Sequence, residues 1–124
     1  MLQSEKTILL VEDDTSTRLI INRGIANWGC KVLSVSSGEE ALRVSSMITP
    51  DLALIDISLP GIDGVTLANI LIQKQVTAII LMTADRNHTA NKELLGHKVI
   101  CKPFKIHDLR EIVSKTSFVF DQEN

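Results

Sequence analysis

The sequence predicts a single α/β domain in which a five-stranded parallel sheet is covered by helices on both faces. Short runs of β-branched and aliphatic residues alternate with longer amphipathic segments five times along the chain. Three of the runs have no polar alternation, which is typical of central strands buried on both faces. A length of 124 residues suits one hydrophobic core. We therefore expect one domain over residues 1–124, with a core at about 6–117 and a C-terminal tail at 118–124.

The five predicted strands differ in composition, and this indicates their places in the sheet. The continuous apolar runs lie at 8–11, 52–55 and 78–82, whereas residues 31–35 are mixed, as in an edge strand. The predicted strands are 7–12, 31–35, 52–56, 78–83 and 98–102.

Helices are predicted from apolar spacing and from end signals. Ile21, Ile25 and Trp28 share one helical face, and Ser37 precedes two acids, as an N-cap does. The predicted helices are 16–28, 37–47, 64–73 and 105–116. Residues 87–95 contain few apolar side chains, so we expect only a short, weak helix there, ending at Gly96.

Bulk properties exclude several classes of function. A formal net charge of -2 gives no reason to expect binding to nucleic acid or membranes. The sequence contains no apolar run of about 20 residues and no secretory leader, so a cytoplasmic location is expected. Two cysteines and three histidines lack ligand spacing and predict neither a disulfide nor a metal cage: Cys30, Cys101, His88, His97 and His107.

Five polar residues fall at the carboxyl ends of the predicted strands. Asp13 and Asp14 follow the first strand, Asp56 ends the third, Thr83 the fourth and Lys102 the fifth. These ends share one edge of a parallel sheet, where α/β proteins bind ligands. The sequence therefore predicts one pocket built from distant positions.

Three carboxylates and one lysine in one pocket give a formal charge of -2, which suits Mg²⁺ and its preference for oxygen ligands. An aspartate can also accept a phosphoryl group as a nucleophile, with Lys102 and Thr83 contacting the phosphoryl oxygens. Each residue alone has a simpler interpretation: Asp13 or Asp14 could cap a helix, and Thr83 could be an ordinary strand residue. The coincidence of all five favours a phosphoryl-acceptor site.

These residues also carry a family resemblance that spans nearly the whole chain. Residues 12–14, the segment 56–64 (DISLPGIDG), the pair Thr83-Ala84 and residues 102–104 (KPF) occur in this order. In this, the sequence resembles the receiver domain of bacterial two-component response regulators, including the stand-alone chemotaxis regulator. The resemblance implies a flavodoxin-like fold with strand order 2-1-3-4-5.

The resemblance also implies a role for each site residue. Asp56 would take a phosphoryl group from a phosphohistidine of a histidine kinase or phosphotransfer protein. Asp13, Asp14, Asp56 and the backbone carbonyl of Ser58 would hold Mg²⁺. Thr83 and Lys102 would contact the phosphoryl group, and the switched domain would act on an effector protein or a fused domain.

Two departures from the family pattern affect the output. Val99 stands where the family has an aromatic residue, and the segment 83–102 is shorter than usual. We therefore expect the signal to be read elsewhere or through loop ordering. Ser58 and Asp85 either tune the lifetime of the acyl phosphate or are only solvated loop residues.

Other interpretations stay open. The chain could be a degenerate receiver that binds partners without phosphorylation. A phosphatase of the haloacid dehalogenase type is disfavoured, since it should have an acid where Ser58 stands. The apolar residues 118–120 either pack on the sheet or form a dimer contact or a link to another domain.

Overall fold

A computed structural model describes residues 5–85, 93–94 and 96–120. Over these residues the chain forms one six-stranded sheet and four helices. The strands are β1 (Thr7–Val11), β2 (Lys31–Val35), β3 (Leu52–Asp56), β4 (Ile79–Thr83), β5 (Glu93–Leu94) and β6 (His97–Cys101). The helices are α1 (Thr15–Ala26), α2 (Gly38–Ser45), α3 (Gly64–Gln73) and α4 (Ile106–Val113).

The strand order is β2-β1-β3-β4-β6-β5. The first five strands of this order pair in parallel, which confirms the predicted order 2-1-3-4-5 when β6 is counted as the fifth parallel strand. The mixed strand β2 lies at an edge, as its composition predicted. All four predicted helices are present and begin or end within three residues of the expected positions.

The sixth strand is a correction to the prediction. β5 pairs antiparallel with β6, through Glu93 with Lys98 and Leu94 with His97. The weak helix predicted at 87–95 is therefore wrong at Glu93 and Leu94, and its other residues lie outside the described part of the chain. Gly96 has φ 88°, and this left-handed conformation lets the chain reverse in a short hairpin.

The sheet separates two hydrophobic cores, because successive strand side chains point to opposite faces. Leu9 and Val11 of β1 pack in the core beneath α2 and α3, whereas Ile8 and Leu10 pack in the core beneath α1 and α4. All four are completely buried. Burial on both faces explains why the sequences of the central strands are continuous apolar runs.

Three helices begin at side-chain caps that fix the loops at the carboxyl edge of the sheet. Asp14 caps α1 by accepting from Thr17, Ser37 caps α2, and Asp63 caps α3 by accepting from Thr66. Such caps satisfy backbone amides that have no partner within the helix. α1 and α3 thus start directly above the ends of β1 and β3.

The chain packs back onto the domain after α4. Phe118 is only 4% exposed and belongs to the core beneath α1 and α4, so this core extends past the predicted boundary at residue 117. The Phe120 ring lies edge-on to Trp28, with centroids 5.5 Å apart, and the guanidinium of Arg110 lies 3.9 Å above the Phe120 ring. We call Trp28, Arg110, Phe118 and Phe120 the aromatic clasp.

Two further expectations concern the chain as a whole. Among the described helices, none is long and apolar enough to cross a membrane. Cys30 and Cys101 are half-buried, and neither takes part in a disulfide within the described residues.

Candidate functional site

An acid pocket lies at the carboxyl edge of the sheet, centred on Asp56 at the end of β3. The ammonium of Lys102, one residue beyond β6, lies 3.0 Å from Asp56 Oδ2 and 2.7 Å from Glu12 Oε1. The Glu12 and Asp56 side chains are 1% and 7% exposed, and that of Lys102 is 21% exposed. Ion pairs between largely buried side chains therefore link the carboxyl ends of β1, β3 and β6.

Glu12 is a site residue that the sequence analysis did not single out. Its backbone amide donates to Val35 O, so it continues the β1 ladder by one residue. Its carboxylate accepts from Lys102 and from the Asp14 amide at 3.1 Å. Burial raises the pKa of Glu12, against the lowering effect of these hydrogen bonds.

Asp13 and Asp14 have different environments, although the sequence paired them as metal ligands. Carboxylate oxygens of Glu12, Asp13 and Asp56 all lie within 4.8 Å of one another. The Asp14 carboxylate instead caps α1, with Oδ2 2.8 Å from the Thr17 amide and 2.6 Å from the Thr17 hydroxyl. The hydrogen bonds from Thr17 lower the pKa of Asp14. The structure thus brings Asp13 and Asp56 together with Glu12 and places Asp14 at the helix end.

The loop after β3 folds back over Asp56. The Ser58 amide donates to Asp56 Oδ1 at 2.9 Å, while the Ile57 amide donates to Met82 O of the neighbouring strand at 2.9 Å. The Gly64 amide then closes the loop by donating to Ile57 O at 3.0 Å. Ser58 itself is exposed, and metal ligation by its carbonyl stays a prediction.

Thr83 and Lys102 lie side by side at the next strand ends. The Lys102 amide donates to Thr83 O at 2.7 Å, and the Thr83 hydroxyl accepts from the Asp85 amide at 3.0 Å. Burial alone would lower the pKa of Lys102, but the hydrogen bonds that its ammonium donates to Glu12 and Asp56 raise it, so the lysine is charged. Thr83 is 4% exposed, and Asp85 lies exposed next to it.

The acid pocket fits a hard divalent cation. Glu12, Asp13, Asp56 and Lys102 carry a formal charge of -2, and the three carboxylates offer oxygen ligands from one small volume. Mg²⁺ prefers oxygen ligands and commonly uses one or two carboxylates with water and phosphate oxygens. The residues present therefore match the predicted cofactor class.

The two described histidines, His97 and His107, lie away from this pocket. His97 Nε2 lies 3.1 Å from Asn69 Oδ1, and burial lowers the pKa of His97. His107 has ligand atoms near those of Asp108 and Glu111, but all three residues are exposed on α4. His88 lies outside the described residues.

Val99 is 3% exposed and packs in the core beneath α2 and α3, beside Leu81 of β4. An aliphatic side chain enclosed in this way is not a surface group that could change its orientation. The structure therefore offers no aromatic relay at this position.

Comparison with known proteins identifies the class. Residues 8–114 match the response regulator receiver domain family. The chain is 30% identical over 112 residues to the sporulation initiation phosphotransferase F of Bacillus subtilis, covering 87% of this chain and 90% of that protein. It is 32% identical over 103 residues to the B. subtilis alkaline phosphatase synthesis regulator PhoP, covering 80% of this chain and 43% of PhoP. The chain belongs to the response regulator receiver domain family, and it spans less than half the length of PhoP.

Solved structures agree with this assignment. The response regulator protein TrrA of Thermotoga maritima, solved in complex with Mg²⁺-BeF, superimposes with a TM-score of 0.77 at 30% identity, covering 89% of this chain and 97% of that one. The chemotaxis protein CheY4 of Vibrio cholerae shares the fold, with a TM-score of 0.78 at 21% identity over 90% and 98% of the two chains. The chain is thus a receiver domain of two-component response regulators, a family characterised by phosphoryl acceptance.

Proposed function

We propose that Asp56 is the phosphoacceptor and that it takes its phosphoryl group from a phosphohistidine. One observation carries the proposal: the Asp56 carboxylate is held by the Ser58 amide at 2.9 Å and by Lys102 at 3.0 Å, beside the acidic oxygens of Glu12 and Asp13. A fixed nucleophile next to a cation site and a lysine meets the main needs of phosphoryl transfer, which are position and charge neutralisation.

The transfer exchanges one bond to phosphorus for another. An oxygen of Asp56 attacks phosphorus, the phosphorus–nitrogen bond to the donor histidine breaks, and that nitrogen keeps the electron pair. The product is an acyl phosphate on Asp56 and a neutral imidazole on the donor. Lys102 and the Thr83 hydroxyl would stabilise the phosphoryl oxygens. Each chain accepts one phosphoryl group per cycle, so it acts as a signalling protein and not as a turnover enzyme.

Glu12, Asp13 and Asp56 are the carboxylates that we propose as the Mg²⁺ ligands, with the Ser58 carbonyl as a further candidate. This set replaces Asp14, whose carboxylate is engaged by Thr17. When bound, the cation would neutralise charge on the phosphoryl oxygens.

The donor would dock on α1 beside the pocket. Leu19 and Ile20 are 58% and 70% exposed, and a groove of about 220 Å³ lies between Ile20, Phe104 and Lys102. Apolar surface next to a reactive site suits a helix of a histidine kinase or of a phosphotransfer protein. Coupling to such a kinase would place the protein in the cytoplasm.

Phosphorylation would switch the conformation read by an effector protein or by a fused domain. The modification adds about -2 charge to the pocket and gives Lys102 and Thr83 new partners. Because Val99 is enclosed in the core, we propose that the output depends on the loops around Thr83 and Ser58 instead of an aromatic relay.

Incubation with acetyl phosphate, followed by intact mass measurement, tests the proposal. We expect a gain of one phosphoryl group that requires Mg²⁺ and is lost in Asp56→Asn. Asp63→Asn is the matched control, because asparagine is an equally good N-cap and Asp63 lies outside the acid pocket. Absence of the gain in the native chain, where a known receiver gains it, would instead favour a degenerate receiver that binds partners without phosphorylation.

A further inference from the structure

Arg18 in the first turn of α1 reaches back to the end of β1. Its Nη1 donates to the backbone carbonyl of Glu12 at 2.8 Å, and the arginine is half-buried. A cation in the first helical turn faces the positive end of the helix dipole, which is unfavourable. The helix dipole therefore does not favour an arginine at this position. The hydrogen bond from Arg18 to the Glu12 carbonyl does favour it.

The turn between β1 and α1 is fixed on both sides of Asp13. Before Asp13, Glu12 is held through its amide by Val35 O and through its carbonyl by Arg18. After Asp13, the Asp14 amide donates to Glu12 Oε2, and the Asp14 carboxylate accepts from the Thr17 amide. Asp13 is exposed, so the direction of its carboxylate depends on these neighbours.

We propose that Arg18 is a positioning residue for the acid pocket, which keeps the turn carrying Asp13 at ligand distance from Glu12 and Asp56. This inference rests on the proposed function of the pocket as a Mg²⁺ site. The role of Arg18 is geometric, since the positive charge of its guanidinium opposes cation binding nearby.

The opposing charge effect makes the role testable. If Arg18 acted only through its charge, its removal would tighten Mg²⁺ binding. If it positions the turn, its removal weakens binding. Loss of an outer partner that orients metal ligands typically costs about 10–100-fold in affinity, and because Arg18 acts through the backbone we expect about tenfold, at the lower end.

The experiment is calorimetric titration of MgCl₂ into the native chain and into Arg18→Met, Arg18→Lys and Arg23→Met. Arg23 is the matched control, because it is an exposed arginine in the last turn of the same helix and its loss changes the net charge equally. We expect Arg18→Met to weaken binding about tenfold, Arg18→Lys to weaken it less, and Arg23→Met to leave it nearly unchanged. Equal or tighter binding in Arg18→Met than in Arg23→Met would overturn the proposal.

Backbone amide shifts of Asp13 and Asp14, recorded without metal, give a second readout. These chemical shifts should change in Arg18→Met and remain the same in Arg23→Met. Unchanged shifts in Arg18→Met would also count against the proposal. Failure of the native chain to bind Mg²⁺ would refute the metal site, and the metal-free shifts would still decide whether Arg18 positions the turn. If Arg18→Met does not fold, the comparison of Arg18→Lys with Arg23→Met decides.

Discussion

Glu12 and Lys102 form an ion pair of 2.7 Å, although 90 positions separate them in the chain. Lys102 also lies 3.0 Å from Asp56, so one ammonium offsets two buried carboxylates where a cation would bind. The lysine and a divalent cation therefore stabilise the same charges.

Lys102→Met should destabilise the metal-free domain by about 3 kcal/mol, the scale for removing one partner of a buried ion pair. Mg²⁺ should restore much of the loss, because it supplies positive charge to the same carboxylates. Urea unfolding with and without MgCl₂ measures both effects. Lys105→Met, which removes an exposed lysine, is the control. An equal gain from Mg²⁺ in the native chain and in Lys102→Met would contradict the shared role.

Asp13→Ala and Asp14→Ala should separate metal binding from helix capping. We expect Asp13→Ala to weaken Mg²⁺ binding strongly with little change in unfolding. Asp14→Ala should lower the urea midpoint, because α1 loses its N-cap, and affect Mg²⁺ binding less. Titration calorimetry and urea unfolding check the two effects. A larger loss of Mg²⁺ affinity in Asp14→Ala would restore the ligand pair predicted from the sequence.

Gly64→Ala should destabilise the domain by about 2 kcal/mol or more, as overpacking does. A Cβ at Gly64 would meet the carbonyl oxygen of Asp56 and lie 2.7 Å from Ile57 Cα, and both belong to backbone that cannot move without displacing Asp56. Gly24→Ala is the contrast, since the atoms nearest to its Cβ would belong to the side chain of Ile106 and not to the backbone. Equal urea midpoints for the two variants would show that the contact at Asp56 is unimportant.

Stability should fall as the pH drops below about 6.5, the ordinary pKa of a histidine side chain. Burial lowers the pKa of His97 below 6.5, so the unfolded chain binds the proton more tightly than the folded one. The contribution of His97 is therefore complete above 6.5 and is lost as the pH falls toward its folded pKa. Unfolding free energies across this range should depend less on pH in His97→Gln, while His107→Gln, at an exposed site, should behave as the native chain does.

The sequence predicted the parallel sheet because burial on both faces leaves a continuous apolar signature, as in residues 8–11. It did not predict β5, since a strand of two residues carries no periodic pattern and exists through its pairing with β6. It placed Asp56, Thr83 and Lys102 at one edge for the same topological reason.

The choice among the three consecutive acids could not be made from the sequence. It depends on the residue at which β1 stops and α1 starts, because a change of one position exchanges a carboxylate in the acid pocket for a helix cap. Two hydrogen bonds fix that position: the Glu12 amide donates to Val35 O, and the Thr17 amide donates to the Asp14 carboxylate. The N-cap preference of aspartate indicates that one of the acids caps α1, but it selects Asp14 only once the first residue of α1 is known.

The aromatic clasp has a mechanical consequence. α1 has 12 residues, so it is a rod about 18 Å long. Asp14 and the acid pocket lie at one end of this rod. Trp28, whose ring packs against Phe120, lies just past the other end. Tilting of α1 by a rearrangement at the pocket would move its far end, and the contact of Trp28 with Phe120 would carry this movement to the segment after α4.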